Sequence, residues 1–218
     1  MSVRVPGVSD EVERRILDLA QHSPPQMRLG TRLALASAVV VGTTIVTVLA
    51  HPRPDLRQLP VAALAVSTGA LAAIALASVL GVIWSRRSTG PSVRALRLVA
   101  FGTAPLLALV TASRPLTTAD GPTSLSSGIL DALACLATMC AASGVGLLAL
   151  LIAFRRAVSV APQLRGAALG AAAGAFGGLA MHLRCPSPDP VHILAGHVVP
   201  IAIIATIGAL VGPRVVRA

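Results

Sequence analysis

The side chains in this sequence best suited to chemistry are a small set of cysteines and histidines in its second half. His182, Cys185, His192 and His197 follow one another closely, and Cys135 stands in an earlier apolar stretch. Thiolate and imidazole are soft or borderline ligands that suit zinc, copper and other thiophilic metals. Two thiols in an oxidising compartment could instead form a disulfide, and a free cysteine often serves as a small buried hydrophobe. The residue types therefore leave metal binding, redox chemistry and packing open.

Spacing adds some constraints on these residues. His182 and Cys185 are three apart and share a helix face if a helix extends that far. His192 and His197 are five apart, which places them on different faces of an α-helix, each hydrogen-bonded near a membrane interface. We expect Cys140 to be ordinary packing, and we treat His182 and His192 as further candidate metal ligands. No firm metal site and no cofactor are predicted.

Catalytic motifs are missing from the sequence. It contains neither a His-Glu-x-x-His helix nor a Gly-x-Ser-x-Gly turn, and no paired carboxylates fall inside an apolar stretch. Asp131 is the carboxylate nearest to membrane depth, and we expect it to face interfacial water or an arginine. The sequence therefore does not predict an enzyme.

Composition points to a membrane protein. Of 218 residues, 55% are hydrophobic and only 12% are charged, whereas a soluble domain usually carries about 25% charged residues; the mean hydropathy is +0.81. All 18 basic residues are arginines, and the net charge is +10. With only three phenylalanines and one tryptophan to stack on bases, direct nucleic-acid binding is not expected.

Six apolar stretches are each close to the roughly 20 residues that a helix needs to cross a bilayer. They predict an all-α membrane protein with six transmembrane helices, at 33–50, 61–84, 96–113, 128–154, 164–183 and 191–212. Residues 1–32 then form an N-terminal segment, 33–212 the membrane domain and 213–218 a short tail.

Arginine distribution predicts the orientation of these spans. With the N-terminus in the cytoplasm, that side collects fourteen of the 18 arginines and the opposite side four. Basic residues favour the cytoplasmic loops of membrane proteins. Both termini are therefore predicted to be cytoplasmic.

The fifth span carries glycine at every fourth position, at Gly166, Gly170, Gly174 and Gly178. These residues line one helix face and let a second backbone approach closely. This glycine face predicts close helix packing within one bundle. The alternative is an interface between two copies of the chain.

The N-terminal segment contains a candidate amphipathic helix at 10–21, DEVERRILDLAQ. Val12, Ile16 and Leu19 recur at helical spacing, and Asp10 with Glu13 can form a capping box. So short a helix is marginal alone, so its apolar stripe needs a surface. Its acidic residues are repelled by anionic lipid, which favours a protein partner over the membrane.

Several of these features resemble the NrsF-type bacterial anti-sigma factors. The six-span layout, the short N-terminal segment and the closing stretch 179–217 all fit that family. Cys185-Pro186 matches the family's cysteine-proline pair, Cys135 falls in the span that carries its second cysteine, and His197 matches the histidine that opens the last span. Gly196 stands where the family usually has tryptophan.

The resemblance implies a function. It implies an anti-sigma factor in the bacterial inner membrane that holds an extracytoplasmic-function (ECF) sigma factor at the inner face and releases it on a stimulus. It places sensing at Cys135 and Cys185, with His197 beside them, and it extends to a member that silences light-induced carotenoid synthesis. The expected sigma-binding residues are those of the N-terminal helix: Val12, Glu13, Arg15, Ile16 and Leu19. The alternatives are a small transporter, which would need polar residues deep in several spans, or a membrane metal or redox protein.

Overall fold

In the residues that the computed structural model describes, all regular secondary structure is helical. The described residues are residue 11 and the ranges 29–54, 60–84, 92–112, 125–155, 161–187 and 189–216. The helices are α1 (Leu29–Ala50), α2 (Val61–Trp84), α3 (Ser92–Ala112), α4 (Leu125–Phe154), α5 (Pro162–His182), α6 (Pro190–Ile193) and α7 (Val199–Val216), with a π-helical turn, Leu194–Val198, between the last two.

Six of these helical stretches are long and apolar enough to cross a membrane. Helices are expected there because every backbone polar group in lipid must find a partner within the chain. The prediction of six spans is confirmed, with shifts of a few residues at the boundaries. The last span runs over Pro190–Val215 and is not one regular helix, since it combines α6, the π-helical turn and most of α7. Which side of the membrane each terminus faces stays a prediction.

Helix α5 is the central element of the bundle. It packs against α1, α2, α3, α4 and α7, and 15 of its 21 residues are buried, compared with two of the 18 residues in the α1 span Leu33–Ala50. Alanine and glycine make up most of α5. Small side chains let several neighbouring helices approach one axis.

The glycine face of α5 packs on α7 within the same chain. A Cβ atom at Gly166 would overlap the carbonyl oxygen of Gly208, and one at Gly170 would overlap that of Ile204. A Cβ atom at Gly174 would lie 3.1 Å from the Cα of Ile201, whereas one at Gly178 would face Leu107 of α3 and Met139 of α4. The two helices run antiparallel in backbone contact.

The remaining helices enclose α5 and turn apolar faces outward. Leu71, Met139, Met181 and Ile201 form one buried group with Cys185 at the end of the bundle where α5 finishes. Leucine, valine and phenylalanine side chains cover the outer faces of the spans, for example Leu49, Leu98 and Phe101, which are all more than two-thirds exposed. Such faces suit contact with lipid.

Several hydroxyl groups inside the spans bond to nearby helical carbonyl or hydroxyl oxygens. Thr44 and Thr103 each donate to the carbonyl oxygen four residues earlier, and Ser78 of α2 also bonds to Thr103 of α3 at 3.1 Å. Bonds of this kind satisfy a polar side chain without water. Across the described spans these hydroxyls serve the bundle's own helices.

Candidate functional site

Two cysteines and two histidines converge at the end of the bundle where α5 finishes. We call Cys135, Cys185, His192 and His197 the Cys2His2 cluster. One ligand atom from each lies within 4.8 Å of the other three. The two sulfur atoms are 3.9 Å apart, and Cys185 Sγ lies 3.2 Å from His192 Nε2. Both thiols are free.

Three separate parts of the chain supply these side chains. Cys135 lies on α4, and Cys185 lies three residues beyond the end of α5. The backbone N–H of Cys185 donates to Met181 O at 2.8 Å, so a final tight turn places it over the helix end. The two histidines come from the start of the last span.

Asp189 fixes the orientation of His192. Its carboxylate accepts hydrogen bonds from the backbone N–H groups of Val191 and His192, each at 3.1 Å. This is an N-cap, and Pro190 follows at the first helical position, where the lack of an N–H costs nothing. The pair starts a helix at the point where His192 can reach Cys185.

The π-helical turn brings His197 to the same side as His192. The N–H of Val199 bonds to Leu194 O, five residues back, so residues five apart come close together. The two imidazole rings meet edge to face with centroids 5.6 Å apart. The expectation that these histidines lie on different helix faces is therefore wrong, because it assumed α-helical spacing throughout.

Pro200 follows the π-helical turn, in the first turn of α7. A proline inside an α-helix removes one backbone donor, and its ring collides with the carbonyl four residues back, here that of Gly196. A π-helical turn before Pro200 is one way to accommodate it. Proline alone does not indicate such a turn, because Pro105 lies inside α3 without one.

Gly196 brings the last span close to α4. A Cβ atom at this position would lie 3.1 Å from Cys135 Cβ and 3.2 Å from Ala132 O. Both distances are tighter than ordinary contacts, so a larger side chain would push the two helices apart. Glycine here is part of what places Cys135 beside the histidines.

The Cys2His2 cluster is shielded from solvent. The exposed fractions of Cys185, His192 and His197 are 5%, 4% and 3%, and Cys135 is half-buried. Neither ring nitrogen of His197 makes a hydrogen bond with the part of the chain that the structure describes. A buried polar group left in this way costs about 1–3 kcal/mol.

Electrostatics in the Cys2His2 cluster favour an ionised Cys185. A hydrogen bond from the Cys135 thiol lowers the pKa of Cys185 well below its usual range, against the opposing effect of burial, and hydrogen bonding from His192 and the nearby imidazole of His197 lower it further. An ionised thiol is the form that binds metals and attacks disulfides.

The other residues singled out from the sequence lie elsewhere. His182 Nε2 bonds to Ser67 Oγ of α2 at 2.9 Å, and because α5 ends at His182, no continuous helix face joins it to Cys185. Cys140 is half-buried on α4, outside the Cys2His2 cluster. Asp131 is exposed, one turn before Cys135.

The expected sigma-binding residues Val12, Glu13, Arg15, Ile16 and Leu19 lie outside the described residues. Sequence reasoning also missed three residues that build the site, namely Asp189, Gly196 and Pro200. Asp189-Pro190 carries the usual signal of a helix start, but the sequence alone does not show that this start orients a cluster member.

Chemically, the Cys2His2 cluster can hold a soft or borderline cation, or it can oxidise to join its two thiols. In either case its state would change how α4, the end of α5 and the start of the last span are held together.

Comparison with known proteins identifies the family. Neither a curated protein nor a solved structure matches the chain. A family model described as NrsF, negative regulator of sigma F, matches residues 17–217. This match gives no support to the narrower resemblance to a member that controls carotenoid synthesis. Because the match covers nearly the whole sequence, the chain belongs to the NrsF family of negative regulators of a sigma factor.

Proposed function

We propose that this protein is a membrane-bound anti-sigma factor that holds an ECF-type sigma factor at the cytoplasmic face of the bacterial inner membrane. Sequestration keeps the sigma factor from RNA polymerase and represses transcription until a stimulus releases it. The family match over residues 17–217 carries this proposal, and the six candidate spans support a membrane location. The same match favours a regulator over a small transporter.

The sigma-binding part is the segment before α1. The sequence pattern of residues 10–21 predicts a helix there, with an apolar stripe of Val12, Ile16 and Leu19 and with Glu13 and Arg15 beside it. An amphipathic helix of this kind binds by laying its apolar face into a groove of the partner. The proposal places this segment before the first span, on the side of the membrane that the arginine distribution predicts to be cytoplasmic.

The sensing part is the Cys2His2 cluster, at the opposite end of the bundle from the last residues of α7. Gly166, at the start of α5, contacts Gly208 and Gly212 of α7, whereas Cys185 lies beyond the other end of α5. A helix of 21 residues is about 30 Å long. Release by a conformational signal therefore requires a change that crosses the bundle, whereas release by degradation of the protein does not.

Co-purification tests the proposal. The full-length protein, solubilised in detergent, is used to capture sigma factors of the source cell, and we expect it to retain one of them selectively. Replacing Val12, Ile16 and Leu19 by alanine should abolish capture, because these side chains supply the apolar contact. The matched control replaces Arg14 and Gln21, on the opposite face of the same helix, and should retain the sigma factor. If the unaltered protein captures none, the proposal fails.

A further inference from the structure

The distances within the Cys2His2 cluster fit tetrahedral coordination. Zinc–sulfur bonds of about 2.3 Å at tetrahedral angles place two sulfur ligands about 3.8 Å apart, and Cys135 Sγ and Cys185 Sγ are 3.9 Å apart. His192 Nε2 is 3.2 Å from Cys185 Sγ. All four donor atoms already lie within 4.8 Å of one another. One cation can therefore bind all four with small side-chain movements.

His197 supplies a second, independent indication. It is 3% exposed, and neither of its ring nitrogens has a hydrogen-bond partner among the residues that the structure describes. A neutral imidazole offers one lone pair, and a cation between the sulfur atoms and His192 would accept it. A bound ion thus gives a buried polar side chain the partner that it lacks.

Charge and ligand type define the class of ion. Two thiolates and two neutral imidazoles together offset the charge of a divalent cation, which makes burial of the ion possible in a setting of low polarity. Sulfur and nitrogen ligands without a carboxylate disfavour calcium and magnesium, whereas two of each in tetrahedral geometry are typical of zinc.

We propose that Cys135, Cys185, His192 and His197 form a closed four-coordinate site for a thiophilic divalent cation of the zinc class. Four protein ligands leave no open position for a substrate, as in structural zinc sites. The bound ion connects α4 to the end of α5 and to the start of the last span. The idea that arrival or loss of the ion is the stimulus for sigma release rests on the proposed function. Binding of the ion at this site does not rest on it.

Metal analysis of the purified full-length protein tests the site. After reduction, incubation with zinc chloride and removal of loosely held ions, we expect one zinc per chain. Cys185→Ser and His197→Ala should each reduce this to well below one. Cys140→Ser, a thiol of the same helix as Cys135 outside the cluster, should retain one.

Cobalt(II) in place of zinc gives a second measurement. It does not require a variant that has lost a ligand to remain folded. We expect the visible bands of tetrahedral cobalt together with a thiolate-to-cobalt charge-transfer band, and Cys185→His should keep the first and weaken the second. Equal zinc content in wild type and Cys185→Ser, or none in the reduced wild type, would overturn the site.

The sigma-capture experiment separates the two proposals. If the protein captures its sigma factor but binds no zinc, the metal site alone is wrong. If it binds one zinc in the ligand-dependent way described but captures no sigma factor, the proposed function is wrong and the site stands. A disulfide between Cys135 and Cys185 that persists in the protein as isolated, with no zinc uptake after reduction, also overturns the site.

Discussion

At the scale of single residues, Gly196 controls how close the last span comes to α4. The space for its side chain is filled by Cys135 and by the carbonyl of Ala132. Cys135 and the histidines can share one ion only while this contact is kept.

We therefore expect Gly196→Val to lower zinc binding without removing any ligand. The added methyl groups must push Cys135 away from His197, and overpacking of this kind typically costs about 1–3 kcal/mol. That corresponds to a loss of affinity of roughly 5-fold to 150-fold. Competition with a chromogenic chelator measures the change.

Gly144→Val is the matched control, because a Cβ atom at Gly144 of α4 meets nothing within 4 Å. It should bind zinc as the wild type does. Unchanged affinity in Gly196→Val would show that the contact at Gly196 does not hold the cluster together.

Residue spacing and resemblance predicted only part of this site. Cys135, Cys185 and His197 follow from the resemblance, because cysteine-proline and the histidine that opens the span are readable in the sequence. His192 was harder to assign, since helical spacing opposed its approach to His197 until the π-helical turn was known. Such a turn depends on how Pro200 and Gly196 are accommodated in three dimensions.

At the scale of elements, the α5–α7 pair is joined by backbone contact. Gly166 and Gly208 lie so close that each occupies the place where the other's side chain would be. Glycine spacing predicted such a face, but four glycines do not specify which helix lies against them. The choice of α7 as the partner helix depends on Gly208 and Gly212, which face the glycines of α5. These two glycines form a single four-residue spacing, which is a weak signal in the sequence.

We expect Gly166→Ala to destabilise the protein by about 1–3 kcal/mol, since one methyl group collides with the backbone of α7. Gly102→Ala in α3, where a Cβ atom meets nothing within 4 Å, should be neutral or stabilising by up to about 1 kcal/mol, because alanine is the better helix former. Unfolding of both variants in detergent micelles measures the difference. If Gly166→Ala and Gly102→Ala changed the free energy of unfolding in the same direction, this would argue against backbone contact between α5 and α7.

At the scale of the whole molecule, the number and length of the spans were predictable because a bilayer imposes one thickness on every helix that crosses it. The arrangement of the helices was not. An apolar face that meets lipid and one that meets another helix have similar composition, so hydropathy does not show which helices pack against one another.

Orientation is the prediction that belongs to this scale. The arginine asymmetry predicts that a green fluorescent protein fused after Ala218 fluoresces in the cytoplasm. Alkaline phosphatase, which is active only outside the cytoplasm, should work when fused after Arg57 and fail when fused after Arg87. Phosphatase activity after Ala218 would contradict the assignment of both termini to the cytoplasm.

The burial of α5 also bears on how the protein is made. Of the six spans, α5 has the lowest hydropathy, which suits a helix surrounded by protein. A ribosome delivers α5 to the membrane before α7 has been synthesised, so its glycine face then lacks the partner that covers it in the finished bundle. We expect the translocon to retain α5 until the last span follows and to release the two as a hairpin.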